Sequence, residues 1–366
     1  MQRLKNIYHL FQAIVANIWY GFPSRKLKVI GVTGTDGKTT TTHLIAHILK
    51  TSGKKTSFVS SVYASIGGNE TDIGFHVTTP NSFALQKLLK KSVENNDEYF
   101  VLETTSHALD QNRIWGINYE ISVVTNITHE HLDYHKDFED YQKTKLNLLK
   151  ISKFGIKNSD KVVDLVKEIP NLTQYNQYNY TSAYFVCRHL GLSDKQILEA
   201  MRTFQLPKGR LDLIYDKDFK IIIDFAHTPN ALLQLLPAIR KLFLKKNGRL
   251  IHVFGSAGLR DFTKRPLMGE ASDKFSDVIF LTEEDYRTED PEKICKEITG
   301  GIKNKNYQII VNRQEAIEKA IKIAKKNDVI VLTGKSHEKS LCRGKIEYPW
   351  DEYEAVTKAL KITKKQ

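Results

Sequence analysis

Short apolar runs alternate with amphipathic stretches along most of this chain. The apolar run Leu27–Val32 leads into Gly31-Val-Thr-Gly-Thr-Asp-Gly-Lys-Thr-Thr-Thr-Thr42, and the amphipathic stretch His43–Lys50 follows. That order predicts a strand, a glycine loop and a helix. Phe58–Val62, Tyr99–Glu103 and Ser122–Asn126 predict further strands of a parallel sheet, and 82–93 and 138–150 predict helices. A second alternating set begins after Pro207. Its strands are Ile221–Asp224, Arg249–Phe254, Val278–Leu281 and Val329–Leu332, with helices at 230–245, 265–275, 291–303 and 314–326. The pattern predicts two α/β halves with parallel sheets and a boundary near 206–210. There is no internal repeat and no low-complexity linker.

Ahead of the first strand, Leu4, Ile7, Tyr8, Phe11, Ile14, Val15 and Ile18 fall at helical spacing. They predict an amphipathic helix packed on the main domain. A helix lying on a membrane surface through residues 1–20 is the sharper alternative. His9, Gln12 and Asn17 interrupt the apolar core and no A-x-A site follows, which argues against a signal peptide.

Composition changes this picture little. The chain has 366 residues, 41% hydrophobic and 27% charged, ordinary for a globular protein of about two domains. Three scattered cysteines, Cys187, Cys295 and Cys342, form no C-x-x-C pair and fit a reducing, cytoplasmic compartment. The net charge of +13 suits an anionic small substrate. It would also suit nucleic acid, but no aromatic-basic platform is visible, so nucleic acid is not expected. No apolar run reaches the roughly 20 residues of a membrane span.

The glycine loop carries the first chemistry. Gly34 and Gly37 let backbone N–H groups approach a polyphosphate, and a helix starting at Lys38 adds its dipole. Lys38 would reach the outer phosphates and the Thr39 hydroxyl would bind Mg²⁺. Val32 stands where the strict P-loop pattern has glycine, so the loop is a G-T-x-G-K-T variant. A second constellation sits at strand ends. Glu103 closes one apolar run. Asn126 closes another and leads into Thr128-His-Glu-His-Leu-Asp-Tyr-His135. Ligands bind at the carboxyl ends of strands in open parallel sheets, so a carboxylate and a histidine there would hold a metal against a nucleotide. His129 and His131 as a zinc pair is the weaker alternative, since no cysteine or third fixed ligand is near.

These motifs resemble the Mur ligases. The resemblance rests on Gly34–Thr42, Glu103-Thr-Thr-Ser-His-Ala-Leu109, Thr125–His135, Asp224-Phe-Ala-His-Thr-Pro-Asn-Ala-Leu232, Lys264-Arg-Pro-Leu-Met-Gly269 and Gly334-Lys-Ser-His-Glu338, which occur in order over about residues 28–355. It implies a P-loop central domain with a parallel sheet over 28–206 and a Rossmann-like α/β domain over 207–366, behind the helix of 1–27. It also implies an ATP-dependent amide-bond ligase acting through an acyl phosphate, which joins an amino acid to an anionic muramyl-peptide precursor. Lys38 and Mg²⁺ would offset the repulsion between ATP and a carboxylate. By resemblance, Gly34, Thr35, Gly37, Lys38, Thr39, Thr40, Asp224, His227, Arg260 and Lys264 face ATP. Thr39, Glu103, His131 and Lys145 hold Mg²⁺, with Lys38, Glu103, His131 and Lys145 catalytic. Lys145 falls at the family's carbamylated lysine, and its ordinary reading is a solvated helix lysine. Thr78, Thr79, Thr105, Gln111 and Arg113 would contact the muramyl-peptide, and Arg287, Gly334 and Glu338 the incoming amino acid. Glu284-Asp-Tyr-Arg287 stands where diaminopimelate-adding members have Asp-Asn-Pro-Arg. The family's usual Phe-Asn-x-x-Asn reads Tyr178-Asn-Tyr-Thr-Ser182, without the last asparagine. The family also begins with a domain that holds a UDP group, whereas 27 residues precede the first strand here. A partner chain supplying that site is one expectation. Two other readings keep part of the pattern: a ligase of a different carboxylate, as in folylpolyglutamate synthetases, and a subunit that holds ATP without ligating.

Overall fold

The computed structural model describes residues 2–74, 78–128, 130, 131, 133–157, 165, 167–169, 172–304 and 306–363. The chain forms two compact units, Met1–Thr128 with Lys136–Pro207, and Lys208–Gln366 joined by the segment that carries Glu130, His131 and Asp133.

The first unit runs α1 (Gln2–Tyr20), β1 (Lys28–Thr33), α2 (Lys38–Thr51), β2 (Thr56–Val59), β3 (Ala64–Ile66), β4 (Asn69–Thr71), α3 (Ser82–Glu94), β5 (Tyr99–Glu103), α4 (Ser106–Asp110), β6 (Tyr119–Val124), α5 (Phe138–Lys150), β7 (Ser152–Lys157), α6 (Gln174–His189) and α7 (Asp194–Thr203). Its sheet has the order β4-β3-β2-β5-β1-β6-β7. Successive side chains of a strand point to opposite faces, and both faces here are apolar. On one, Ile30, Val101 and Ile121 meet Leu44, Ile45 and Leu49 of α2, with Ala183 and Val186 of α6. On the other, Val29, Phe100 and Leu102 meet Leu85 and Leu89 of α3 and Leu148 of α5. β1 lies between β5 and β6, so the glycine loop leaves from inside the sheet rather than from its edge.

The second unit runs β8 (Asp212–Asp216), β9 (Lys220–Asp224), α8 (Pro229–Phe243), β10 (Leu250–Phe254), α9 (Lys264–Phe275), β11 (Val278–Leu281), α10 (Pro291–Thr299), β12 (Tyr307–Ile309), α11 (Arg313–Ile323), β13 (Val329–Thr333), β14 (Ser340–Arg343), β15 (Ile346–Pro349) and α12 (Glu352–Thr363). Its main sheet has the order β12-β11-β10-β13-β9-β8. Ile221, Ile251, Val253 and Leu332 pack against Ala316 and Ile317 of α11 and Val356 of α12.

Both main sheets are mixed rather than wholly parallel. β3 pairs antiparallel with β2, β4 with β3, and β8 with β9. The expected strand Phe58–Val62 stops at Val59 because Ser60 turns the chain. Its N–H donates to Tyr63 O at 3.1 Å, and its Oγ accepts from Val62 N at 3.3 Å and Tyr63 N at 3.4 Å. Such a hydroxyl turn competes with the strand ladder. Helix α6 has no apolar period in its first two turns, where Asn, Tyr and Gln dominate. Tertiary packing overrides their weak propensity, since Tyr180, Ala183, Val186 and Cys187 are buried against the sheet.

The largest correction concerns α1. It does pack on the first unit, but not through its apolar stripe. Ala13, Ala16 and Asn17 are fully buried and Ile14 and Val15 half-buried, while Leu4, Ile7, Tyr8, Phe11 and Ile18 are exposed.

Candidate active site

In the first unit the loop after β1 is pinned by the end of β6. Thr35 N donates to Asn126 O at 2.8 Å, Asp36 N to Asn126 Oδ1 at 2.9 Å, and Thr125 Oγ1 to Asp36 O at 2.7 Å. Thr35 Oγ1 lies 3.0 Å from Tyr141 OH. Gly37 opens α2 in the left-handed region at φ +80°, and a Cβ there would meet Asn179 Oδ1 at 1.9 Å. Glycine is therefore required by both conformation and space. It brings no side chain to cap α2, so the first helical N–H groups turn toward whatever occupies the loop.

Lys38 folds back over this loop and donates to Thr35 O at 2.8 Å. Behind it, Thr39 Oγ1 donates to Glu103 Oε1 at 3.2 Å and lies 2.9 Å from Ser61 Oγ. Ser61 N donates to Glu103 Oε2 at 2.9 Å. Thr40 is buried on the next position of α2. Lys145 is the reverse of a solvated helix lysine. It is 2% exposed, donates to Gly34 O at 2.6 Å, and sits 4.7 Å from the Tyr141 ring centroid.

Thr79 ties the same strand end to the segment before α3. Its Oγ1 donates to Glu103 O at 2.9 Å and accepts from Thr105 N at 3.0 Å. Thr105 caps α4, and Gln111 ends it. Arg113 Nη1 donates to Thr79 O and to Pro80 O, the latter at 3.4 Å, so part of its fork is engaged by main chain. Thr78 precedes this cluster in the chain. The structure thus brings Lys38, Thr39, Glu103, Thr79, Thr105 and Arg113 to one end of the first sheet.

In the second unit Asp224 ends β9 fully inside. It accepts from Leu211 N at 2.7 Å and Ala226 N at 2.8 Å. Burial pushes its carboxyl above the usual range, and the charge of Arg210 and these N–H groups oppose that. His227 Nδ1 donates to Phe225 O at 2.8 Å. Lys264 forms a buried pair with Glu130 at 2.9 Å, and Arg260 lies 3.8 Å from Asp133. His131, at φ +59°, belongs to this unit. His129 lies outside the described residues. Among the described residues no group of three His, Cys, Asp or Glu side chains is arranged to hold a metal alone.

A compact ionic cluster surrounds Gly334. Lys335 Nζ, fully buried, donates to Asp285 Oδ1 at 2.9 Å and Glu338 Oε2 at 2.5 Å. Gly334 has φ +99°, and a Cβ there would come within 2.8 Å of Glu284 Oε2. Burial, then the neighbouring Asp285 charge, pushes the Glu284 carboxyl up. Arg287 Nη1 donates to Gly258 O at 2.8 Å and Asp285 O at 3.2 Å, from a left-handed backbone at φ +53°. Its neighbour Glu289 pairs with Arg265 instead.

Residues 32–195 match the Mur ligase middle domain and 209–336 match the Mur ligase glutamate ligase domain, well over half of the chain. The chain is a Mur ligase. It is an ATP-dependent carbon–nitrogen ligase. The UDP-N-acetylmuramoyl-L-alanyl-D-glutamate–2,6-diaminopimelate ligase 1 of Clostridium acetobutylicum is 38% identical over 95% of this chain and 81% of that relative. A solved structure of a ligase of the same name is 26% identical, with a TM-score of 0.56 over 92% of this chain and 79% of its own. E. coli FolC, solved with DHPP and ADP, is 18% identical, with a TM-score of 0.70 over 97% of this chain and 93% of its own. At that identity the likeness to FolC is one of fold.

Several residues of this Mur ligase cluster escaped the sequence reading. Ser61 bridges Thr39 and Glu103, yet nothing marks it in the sequence. Asn179 packs under Gly37, and its altered Tyr178–Ser182 motif was the available signal. Lys335 lies inside the motif Gly334–Glu338, between two expected site residues. Lysine after glycine at a strand end was signal enough. Among the described residues no helix is long and apolar enough to cross a membrane.

Proposed function

We propose that this Mur ligase joins the α-amino group of an amino acid to a carboxylate of a muramyl-peptide precursor, with ATP as the phosphoryl donor. One observation carries the reading: Thr39, Ser61 and Glu103 form a single bonded cluster directly behind Lys38. The flanking domains divide as 1–27, 28–206 and 207–366.

The loop N–H groups bind the phosphates, and Lys38 swings from Thr35 O onto the transferring phosphoryl group. The donor set fits Mg²⁺, since the Thr39 hydroxyl and the Glu103 carboxylate are hard oxygen donors already within 3.2 Å of each other. Lys145, once carbamylated, completes the metal set that we propose for the first unit. Bound there, Mg²⁺ would neutralise charge on the polyphosphate. Gly34, Thr35, Gly37 and Thr40 line the phosphate site that we propose for the first unit; Asp224, His227, Arg260 and Lys264 are the ATP-facing residues that we propose in the second. Thr78, Thr79, Thr105, Gln111 and Arg113 orient the muramyl-peptide carboxylate, which attacks the γ-phosphorus, breaks its bond to the β,γ-bridging oxygen so that ADP leaves, and becomes the acyl phosphate. Arg287, Gly334 and Glu338 position the amino acid so that its amine attacks the acyl carbon and phosphate leaves. An amino diacid such as diaminopimelate gives Arg287 a distal carboxylate to grip. The cytoplasm is the compartment we assign.

The test is amine-dependent phosphate release from ATP, with a UDP-muramyl-dipeptide or a reduced folate as acceptor and diaminopimelate, lysine, ornithine or glutamate as amine. Release with the muramyl-peptide and diaminopimelate is the expected result. Release with the folate and glutamate alone would make the chain a ligase of another carboxylate. No release with any pair would leave a subunit that only holds ATP.

A further inference from the structure

Helix α1 shows most of its large apolar side chains to solvent, with Leu10, Ile14 and Val15 half-buried, and buries small and polar ones against its own domain. On the inner face Asn17 Nδ2 donates to Ala13 O at 2.9 Å and Trp115 O at 2.7 Å, and Asn6 Nδ2 donates to Asp110 Oδ2 at 3.0 Å. On the outer face Leu4, Ile7, Tyr8, Phe11, Ile18 and Trp19 are each 60–77% exposed. Their spacing places them along one stripe of the helix. A contiguous apolar stripe of this size marks an interaction surface. The charge along this segment of the chain is one-sided, although Asp110 meets Asn6 on the inner face. Residues 1–35 contain five basic side chains, Arg3, Lys5, Arg25, Lys26 and Lys28, and no Asp or Glu. Lys5, Arg25, Lys26 and Lys28 are exposed.

We propose that α1 lies on an anionic lipid surface, with this stripe among the acyl chains and the basic residues at the headgroups. Charge selects that occupant. A second copy of α1 would bring the same cations together, and the segment has no carboxylate to meet them, whereas an anionic headgroup layer attracts them. The residue types agree, since Trp and Tyr with aliphatic side chains suit the interface between water and hydrocarbon. With 19 residues and polar groups on its inner face, α1 lies along the surface instead of spanning it.

Vesicle co-sedimentation of the full chain tests this. Phosphatidylcholine vesicles carrying about a third phosphatidylglycerol should take up the protein, pure phosphatidylcholine should take up far less, and added salt should weaken uptake. Ile7→Glu with Phe11→Glu should lower the partition constant about a hundredfold, from the transfer of two large side chains. Both side chains are exposed, so the thermal midpoint should not move. Lys5→Glu with Lys26→Glu keeps the stripe and should still weaken uptake at low salt. A blue shift of tryptophan emission on binding should disappear in Trp19→Phe. No uptake by either vesicle, or equal uptake by both, overturns the proposal. So does a dimer in sedimentation velocity that Ile7→Glu with Phe11→Glu dissolves while lipid uptake is absent.

Discussion

The two units treat charge in opposite ways. In the first, ion pairs such as Lys54–Glu98, Lys90–Glu94 and Arg202–Glu168 lie at the surface with both side chains at least 41% exposed. Its buried site groups bond instead to hydroxyls and main chain: Glu103 to Thr39 and Ser61, Lys145 to Gly34 O. In the second, buried ions meet buried ions. Arg313 and Glu352 are both fully inside at 2.5 Å, Lys335 bridges Asp285 and Glu338, and Lys264 meets Glu130. A buried pair neutralises itself, and breaking it leaves an uncompensated charge. Backbone-held groups around an open loop are preorganised for charge that arrives with a substrate. Losing a site charge in the first unit should therefore cost chemistry, and breaking a pair such as Arg313–Glu352 in the second should cost folding.

The largest effect expected is Lys38→Ala. Loss of one preorganised donor lowers turnover about 10²- to 10³-fold, with little change in stability, because among the described residues the amine hydrogen-bonds to the Thr35 carbonyl alone. Phosphate release and a urea titration measure the two sides. Near-normal amine-dependent release would remove Lys38 from the site. Lys145→Ala extends the comparison. Added short-chain carboxylates should partly restore its activity by supplying an anion, and full activity without them would return Lys145 to a structural role.

Arg313→Ala is the counterpart in the second unit. It strands Glu352 in the interior and should cost about 3–5 kcal/mol. Its Nη2 also donates to Thr333 O at 2.8 Å at the end of β13. Arg313→Met with Glu352→Leu should recover much of that loss, since no ion is then left unpaired. Urea midpoints read both variants. Equal stability for wild type and Arg313→Ala would break the contrast between the units.

The same contrast explains what the sequence made legible. The phosphate loop, Glu103 and the helix carrying Lys145 lie on strongly patterned strands and helices, and residue order placed them well. Parallel pairing around β1 followed from continuous apolar runs. The turn at Ser60 did not show, because a serine hydroxyl that accepts from two N–H groups looks like any other serine in sequence. The ionic network of the second unit did not show either. Its members are remote in sequence, as in Arg343 Nη2 and Glu283 Oε1 at 2.6 Å, and pattern says nothing about which charges will be buried together. Helix α1 was read as a helix with the right stripe, but periodicity does not say which face meets the domain. Asn17, noted only as an interruption of apolar character, decided that.

Arg287 stands between the two regimes. Its guanidinium already donates to Gly258 O and Asp285 O, yet the residue is only part-buried. Arg287→Ala should raise the KM for diaminopimelate about tenfold, the loss of one charge-assisted contact. The KM for ATP should stay unchanged. Steady-state titrations of both substrates check this. Preference for lysine by the wild-type enzyme, with no effect of the substitution, would leave Arg287 a loop brace.

The smallest effect expected is a pH effect at the edge of the second unit's network. Arg265 is fully buried and pairs with Glu289 at 2.7 Å and Glu297 at 2.6 Å, both carboxylates reaching solvent. The hydrogen bond from Arg265 holds the Glu289 carboxyl below its ordinary value of 4.5, against a smaller opposing effect of burial. A carboxyl lowered in the folded state adds stability above its unfolded pKa. That stability is lost as the pH falls through the folded value. Unfolding free energy should therefore decline on acidification below about pH 4.5, and Glu289→Gln should flatten that part of the decline. Glu289 is partly solvated, so the difference should be under about 1 kcal/mol, far less than for Arg313→Ala. Parallel urea titrations across the acid range measure it. A Glu289→Gln protein with an undiminished acid slope would assign the slope to other carboxylates, and the Arg265 pair would then behave as a surface pair despite its buried cation.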